Sequence, residues 1–171
     1  MRNARAIVRA IVVAVGLLAG LAAAQDAPAN IKTVTPDELR TALAAHEGKV
    51  RVINVWATWC GPCRVEFPHL VKLYNTYKDK GVVVIAVSID RPSDLDAVRA
   101  FVTEMKAEMP VFTSRAPELR DYVQAVDPEF AGGVPVTYIL DRKGERVVRP
   151  LLSKQKYETF VRFVEQALAA E

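Results

Sequence analysis

The chain has 171 residues, enough for one domain with a full hydrophobic core. Of its 23 basic and 20 acidic residues, Arg2, Arg5 and Arg9 fall within residues 1–24, which carry no acid, so the remainder holds 20 of each and is neutral. That balance argues against nucleic acid or an anionic membrane surface as a partner, and two cysteines, Cys60 and Cys63, are too few for a disulfide framework.

Met1 to Arg9 is a basic stretch, and Ala10 to Ala24 is an unbroken run of apolar or small residues ending Ala22-Ala23-Ala24 before Gln25. This reads as a secretory signal cut after Ala24. The run is shorter than the roughly 18–20 residues of a spanning helix, and an uncleaved anchor is the alternative. No cysteine lies near Gln25, which argues against a lipoprotein anchor, and no twin-arginine pair is present, so export is expected in the unfolded state. The expected destination is the periplasm or another extracytoplasmic space, which permits disulfides.

Gln25 to Asn30 reads as a loose polar lead, and Ile31 to Val34 as a short edge strand. Thr35-Pro36-Asp37-Glu38 combines a capping threonine, a first-turn proline and a capping-box glutamate, and opens a helix to about Ala45. Val50 to Trp56 is almost wholly apolar, as expected of a parallel strand buried on both faces. A helix follows from Cys60 to about Tyr77, with Pro68 inside it as an expected kink; Gly81 stops it. Val82 to Ile89 is a second buried strand, completing a βαβ unit. Asp90-Arg91-Pro92-Ser93 reads as a turn, and Leu95, Val98, Phe101, Val102 and Met105 as one face of a helix. A short strand is expected at Pro110–Phe112, a short helix around Leu119–Val126 and a loop from Asp127 to Gly133. Val136 to Leu140 is a strand, Asp141 to Gly144 a tight turn, and Glu145 to Val148 its returning partner in a hairpin. Tyr157, Phe160, Val161, Val164 and Leu168 define the last helix.

The chemistry centres on Trp56-Ala57-Thr58-Trp59-Cys60-Gly61-Pro62-Cys63-Arg64-Val65-Glu66-Phe67-Pro68. A cysteine at a helix start lies near unpaired N–H groups and the positive end of the helix dipole, which lowers a thiol pKa. Cys63, three residues on, comes within reach of the first sulfur. An inert disulfide is a weak alternative, because so short a loop gives little stabilisation. His46 and His69 bring the zinc-ligand types to four, but at spacings that suit surface residues better. Met105 and Met109 read as packing rather than as a copper site.

Trp-Cys-Gly-Pro-Cys matches the thioredoxin motif, Pro68 falls where thioredoxins kink this helix, and Gly133-Val134-Pro135 matches their cis-proline loop. The resemblance covers about Ile31 to Leu168. Cys60-x-x-Cys63-x-x-Glu66-x-Pro68, a central insertion at about 90–132 and the run Thr137 to Gly144 further resemble the extracytoplasmic TlpA/ResA-like reductases. The implied fold is an α/β thioredoxin fold, a mixed sheet flanked by helices, with one domain spanning 31–171. The chain departs from thioredoxin proper at Asn54, where thioredoxins carry a buried aspartate; Asn54 is expected to satisfy backbone groups, with Glu66 supplying the proton-transferring carboxylate.

The resemblance implies that Cys60 attacks a client disulfide, Cys63 resolves the mixed disulfide and Glu66 takes the Cys63 proton. Trp59, Gly61, Pro62, Val134 and Pro135 would form the substrate surface. The implied substrates are disulfide-bearing proteins such as apocytochrome c or a copper chaperone, with electrons from a membrane thiol-reducing protein. No cofactor or metal is implied, and the chain is expected to be a monomer. The same chemistry run backwards, as an oxidase or isomerase, is less well matched by Gly61-Pro62; a copper-handing assembly factor is a third reading.

Overall fold

The computed structural model describes residues 30–115, 119–130 and 132–170, so the expected signal segment and the lead through Ala29 lie outside the described residues. Six strands, β1 (Ile31–Val34), β2 (Val50–Trp56), β3 (Val82–Ser88), β4 (Val111–Ser114), β5 (Val136–Leu140) and β6 (Leu151–Leu152), form one sheet in the order β1-β4-β3-β2-β5-β6. The first four in that order run parallel; β5 is antiparallel to β2, and β6 to β5. The helices are α1 (Pro36–Ala44), α2 (Gly61–Tyr77), α3 (Leu95–Glu104), α4 (Leu119–Gln124) and α5 (Tyr157–Ala169). No helix among the described residues is long and apolar enough to cross a membrane.

The central strands have to be apolar throughout because both sheet faces are covered. Val52 and Trp56 of β2 pack with Phe67, Leu70 and Leu73 of α2 and with Phe160 and Val164 of α5. Ile53 and Val55, on the opposite face, pack with Leu39 and Leu43 of α1 and with Tyr122 of α4. This alternation turns Asn54 toward the α2 face, where no other β2 side chain is polar. The segment from 90 to 132 contributes β4, which lies inside the sheet between β1 and β3.

The capping box at Thr35 forms as expected, with the Glu38 N–H donating to Thr35 Oγ1 and the Thr35 N–H to Glu38 Oε2. Gly81 follows a short 3₁₀ turn at φ 78°, a left-handed conformation that a side chain would strain. Asn30 is not part of a loose lead: its amide donates to the Ala107 and Met109 carbonyls at 2.8 and 2.7 Å, fastening the chain before β1. The expected hairpin partner also differs. Glu145–Val148 makes only one bridge, Arg146 to Leu140, and the ladder resumes at Leu151–Leu152 opposite Val136 and Thr137. Pro150 between them has no N–H to give to a ladder.

Under the C-terminal end of β2, Trp56, Phe67 and Phe101 form a triangle with ring centroids 4.6–5.3 Å apart, and the Arg64 guanidinium lies 4.4 Å from the Phe101 centroid. Phe101 thereby ties α3 to the strand and helix that carry the cysteines. Phe101→Ala is expected to cost about 3–5 kcal/mol of stability, measured by urea unfolding of the oxidised protein.

Candidate redox site

β2 ends at Trp56, and three residues, Ala57, Thr58 and Trp59, bring the chain to Cys60 at the start of α2. Cys60 is the N-cap, a position usually held by a side-chain oxygen; here its Sγ accepts the Cys63 N–H at 3.2 Å. Gly61 and Pro62 fill the exposed first turn, where proline's missing N–H removes no helical bond. Cys60 and Cys63 are joined by a disulfide with S–S 2.11 Å, and Cys60 is the more exposed, 6% against 2%. The Val134–Pro135 peptide bond is cis, and the Val134 carbonyl oxygen lies 3.5 Å from Cys60 Sγ. Trp59 is 64% exposed beside the pair, while Trp56 is fully buried. Cys60, Cys63, Trp59, Gly61, Pro62, Val134 and Pro135 therefore meet at one end of the sheet.

Glu66, one helical turn beyond Cys63, is 1% exposed and lies under the helix rather than in solvent. Asn54 donates to Glu66 Oε1 at 2.8 Å and to Thr137 Oγ1 at 2.9 Å. The expectation that Asn54 satisfies sheet backbone is thus corrected: its amide serves two side chains. The reason lies in the register, since Asn54 and Thr137 are directly opposed across β2 and β5 and so share a face. The Gln155 N–H closes the set at 2.5 Å from Glu66 Oε2. Burial drives the Glu66 carboxyl up, and the Gln155, Asn54 and Thr137 donors pull it back, leaving it raised to about 7.

Asp90 is the largest departure from the expected turn. Its carboxylate is buried and accepts the Thr58 N–H at 3.0 Å, the Thr58 hydroxyl at 2.5 Å and the Ser88 hydroxyl at 2.6 Å. It fixes the loop that delivers Trp59 and Cys60. Its place at the end of a fully buried strand, level with that loop, is the signal that could have marked it. Thr137 was within reach of a strand-pairing argument; Gln155 was not, because it acts through its backbone. His46 and His69 are only part-buried, and burial lowers the His46 pKa. Among the described residues, no group of three or more His, Cys, Asp or Glu side chains is arranged to hold a metal ion.

A mixed sheet between two helical layers, with a cysteine pair at the first βα turn and a cis-proline beside it, defines a thioredoxin-fold protein. A solved structure described as a thiol:disulfide interchange protein of the thioredoxin family, from Chlorobium tepidum TLS, superposes with a TM-score of 0.61 at 27% identity, over 74% of this chain and 84% of that one. Residues 23–148 match the AhpC/TSA family, and the chain belongs to that family. It is similar to the thiol-disulfide oxidoreductase ResA of Oceanobacillus iheyensis, 33% identical over 127 residues, 73% of this chain and 62% of the relative's length. The thioredoxin-like protein YneN of Bacillus subtilis is also 33% identical, over 73% of this chain and 69% of its own.

Because the Glu66 pKa is raised in the folded state, its contribution to stability is fully present below the ordinary carboxylate value of 4.5 and is lost as pH rises through about 7. The oxidised protein, whose cysteines do not titrate, is expected to lose about 2–3 kcal/mol relative to Glu66→Gln between pH 5 and pH 8. Urea unfolding of both proteins across that range reads the difference; parallel pH profiles would show that Glu66 is ionised throughout.

Proposed function

We propose that this protein is an exported thiol–disulfide oxidoreductase that reduces protein disulfides. The observation that carries the reading is the Cys60 sulfur at the N-cap of α2, accepting the Cys63 N–H and closed in a disulfide with Cys63. A thiolate there is stabilised by that N–H and by the helix dipole. The names of the Oceanobacillus and Chlorobium relatives support the same class of activity. The apolar run of residues 10–24 supports export.

In the reduced protein the Cys60 thiolate attacks a client disulfide, forming a mixed disulfide and releasing one client thiolate. Cys63, deprotonated, then attacks Cys60 Sγ; the Cys60–Cys63 bond forms, the bond to the client breaks and the second client thiolate leaves. Two electrons pass to the client. Glu66 serves as the proton acceptor for Cys63, and burial suits it: a carboxyl raised to about 7 can both take and return a proton near neutrality. Val134, with its carbonyl beside Cys60 Sγ, offers backbone to an extended client segment, and Trp59 covers the outer edge. Apocytochrome c or copper-chaperone disulfides are clients of the implied kind. In an oxidising compartment, a membrane thiol-reducing protein must restore the dithiol.

Equilibration against glutathione or dithiothreitol buffers is expected to place the pair at or below about −230 mV, and a value above about −150 mV would assign the opposite direction. Cys60→Ser is expected to abolish disulfide reduction, and Cys63→Ser to accumulate the mixed disulfide. Glu66→Gln is expected to slow the resolving step about 10²-fold at neutral pH, seen as a longer-lived mixed disulfide in rapid-quench gels.

A further inference from the structure

Two clefts of about 410 and 350 Å³ adjoin the redox site on the side built by residues 89–133. Ile89 and Leu119 line both, so the two share one floor, continued by Val123 and Phe130. The shared cleft starts at exposed Trp59, next to Cys60, and ends at Gly133, next to Val134. Its lining thus includes the chain neighbours of Cys60 and of Val134, whose carbonyl oxygen is 3.5 Å from Cys60 Sγ. Gly132 and Gly133 are exposed and both have φ near 90°, and the N–H groups of Gly132, Gly133 and Val134 donate to no acceptor among the described residues. Unpaired, accessible backbone beside an apolar floor is a template for an extended chain, whose alternate side chains then point down into the cleft.

Among the described residues the rim carries more positive than negative charge. Arg91 and Arg120 line the cleft, are exposed and have no ion pair among the described residues. Asp94, the one acid lining it among those residues, already accepts the Ser93 hydroxyl at 3.1 Å. We infer that the cleft binds an extended, cysteine-bearing protein segment with an apolar side chain close to the cysteine and an acidic side chain beyond it. The inference rests on the redox reading above and gives it a client chemistry. The apolar residue occupies the Ile89–Leu119 floor, and the acid meets Arg91 or Arg120. Rim charges of this kind act chiefly on the encounter rate and its salt dependence.

The test uses the reduced protein, two synthetic peptides of equal length and hydroxyethyl disulfide as a small neutral probe. Each peptide carries one internal disulfide; Leu and Glu flank the cysteines in one, Ala and Lys in the other. The Leu/Glu peptide is expected to be reduced about tenfold faster at low ionic strength, with the preference shrinking as salt is added. Arg91→Glu/Arg120→Glu is expected to abolish or reverse it, and Arg120→Gln to reduce it. All three proteins should reduce hydroxyethyl disulfide at one rate. Equal rates on the two peptides, or a preference that survives charge reversal, overturn the client chemistry while normal turnover of the small probe leaves the redox reading intact. Failure to reduce any of the three disulfides overturns the redox reading and the inference with it.

Discussion

The Cys60 sulfur caps the helix whose chemistry it serves. A helix start needs an acceptor for its free N–H groups, and a neutral sulfur is a poor one compared with the oxygens usually found there. A thiolate is a good one. The Cys63 N–H at 3.2 Å is therefore better satisfied when the pair is open and Cys60 ionised than when the disulfide is closed. Left alone, this bias stabilises the reduced form and makes the disulfide a stronger oxidant, the logic by which a low thiol pKa accompanies an oxidising potential.

Glu66 pushes the other way. It lies one turn along the same helix, buried with its charge only partly compensated by Asn54 and the Gln155 N–H. Its proton and any thiolate nearby compete for the same local potential, so ionising Glu66 raises the cost of a second negative charge at Cys63. Cap and carboxylate thus set opposing terms for one couple. A site with the cap alone would lean toward oxidation; a buried acid beside it opposes that bias, as the proposed reductant requires. The two features need not be equally rigid. The acid is gripped from three elements, β2, β5 and the loop before α5, while the cap depends on the turn that Asp90 holds through Thr58.

Most of this arrangement is legible in the order of residues. The central strands announce themselves by unbroken apolar runs, and β2 begins and ends at the residues expected, Val50 and Trp56. The capping box at Thr35 and the cysteine at the start of α2 are local chemistry, decided within four residues. What escaped was decided by pairs far apart in the chain. Asn54 is an ordinary polar residue until β5 lies beside β2 and places Thr137 opposite it, 83 residues away. Asp90 looks like a turn former until its strand end meets the Thr58 loop, 32 residues earlier. The return strand was misplaced for a different reason: the turn at Asp141–Gly144 does bring Arg146 back to Leu140, but Pro150 has no N–H for a ladder and regular pairing resumes only at Leu151. Gln155 is beyond any such reading, because the group that matters is one every residue but proline possesses.

The sulfurs sit at a boundary between two unlike environments, and the division separates chemistry from recognition. Beneath them the polar groups are few, buried and mutually bonded, so a substitution there changes proton affinity and stability together. Beside them the cleft is lined by α4 and the loops around it, with exposed arginines and open backbone that make no hydrogen bond to that network among the described residues. Asp127 keeps the two regions in register: buried, paired with Arg146 at 2.9 Å and accepting the Glu129 N–H, it ties the loop leading into Gly132 to the chain that follows β5. The segment between β3 and β5 serves both regions: Phe101 packs on Trp56 and Phe67 beneath the cysteines, while Ile89, Leu119 and Phe130 line the cleft.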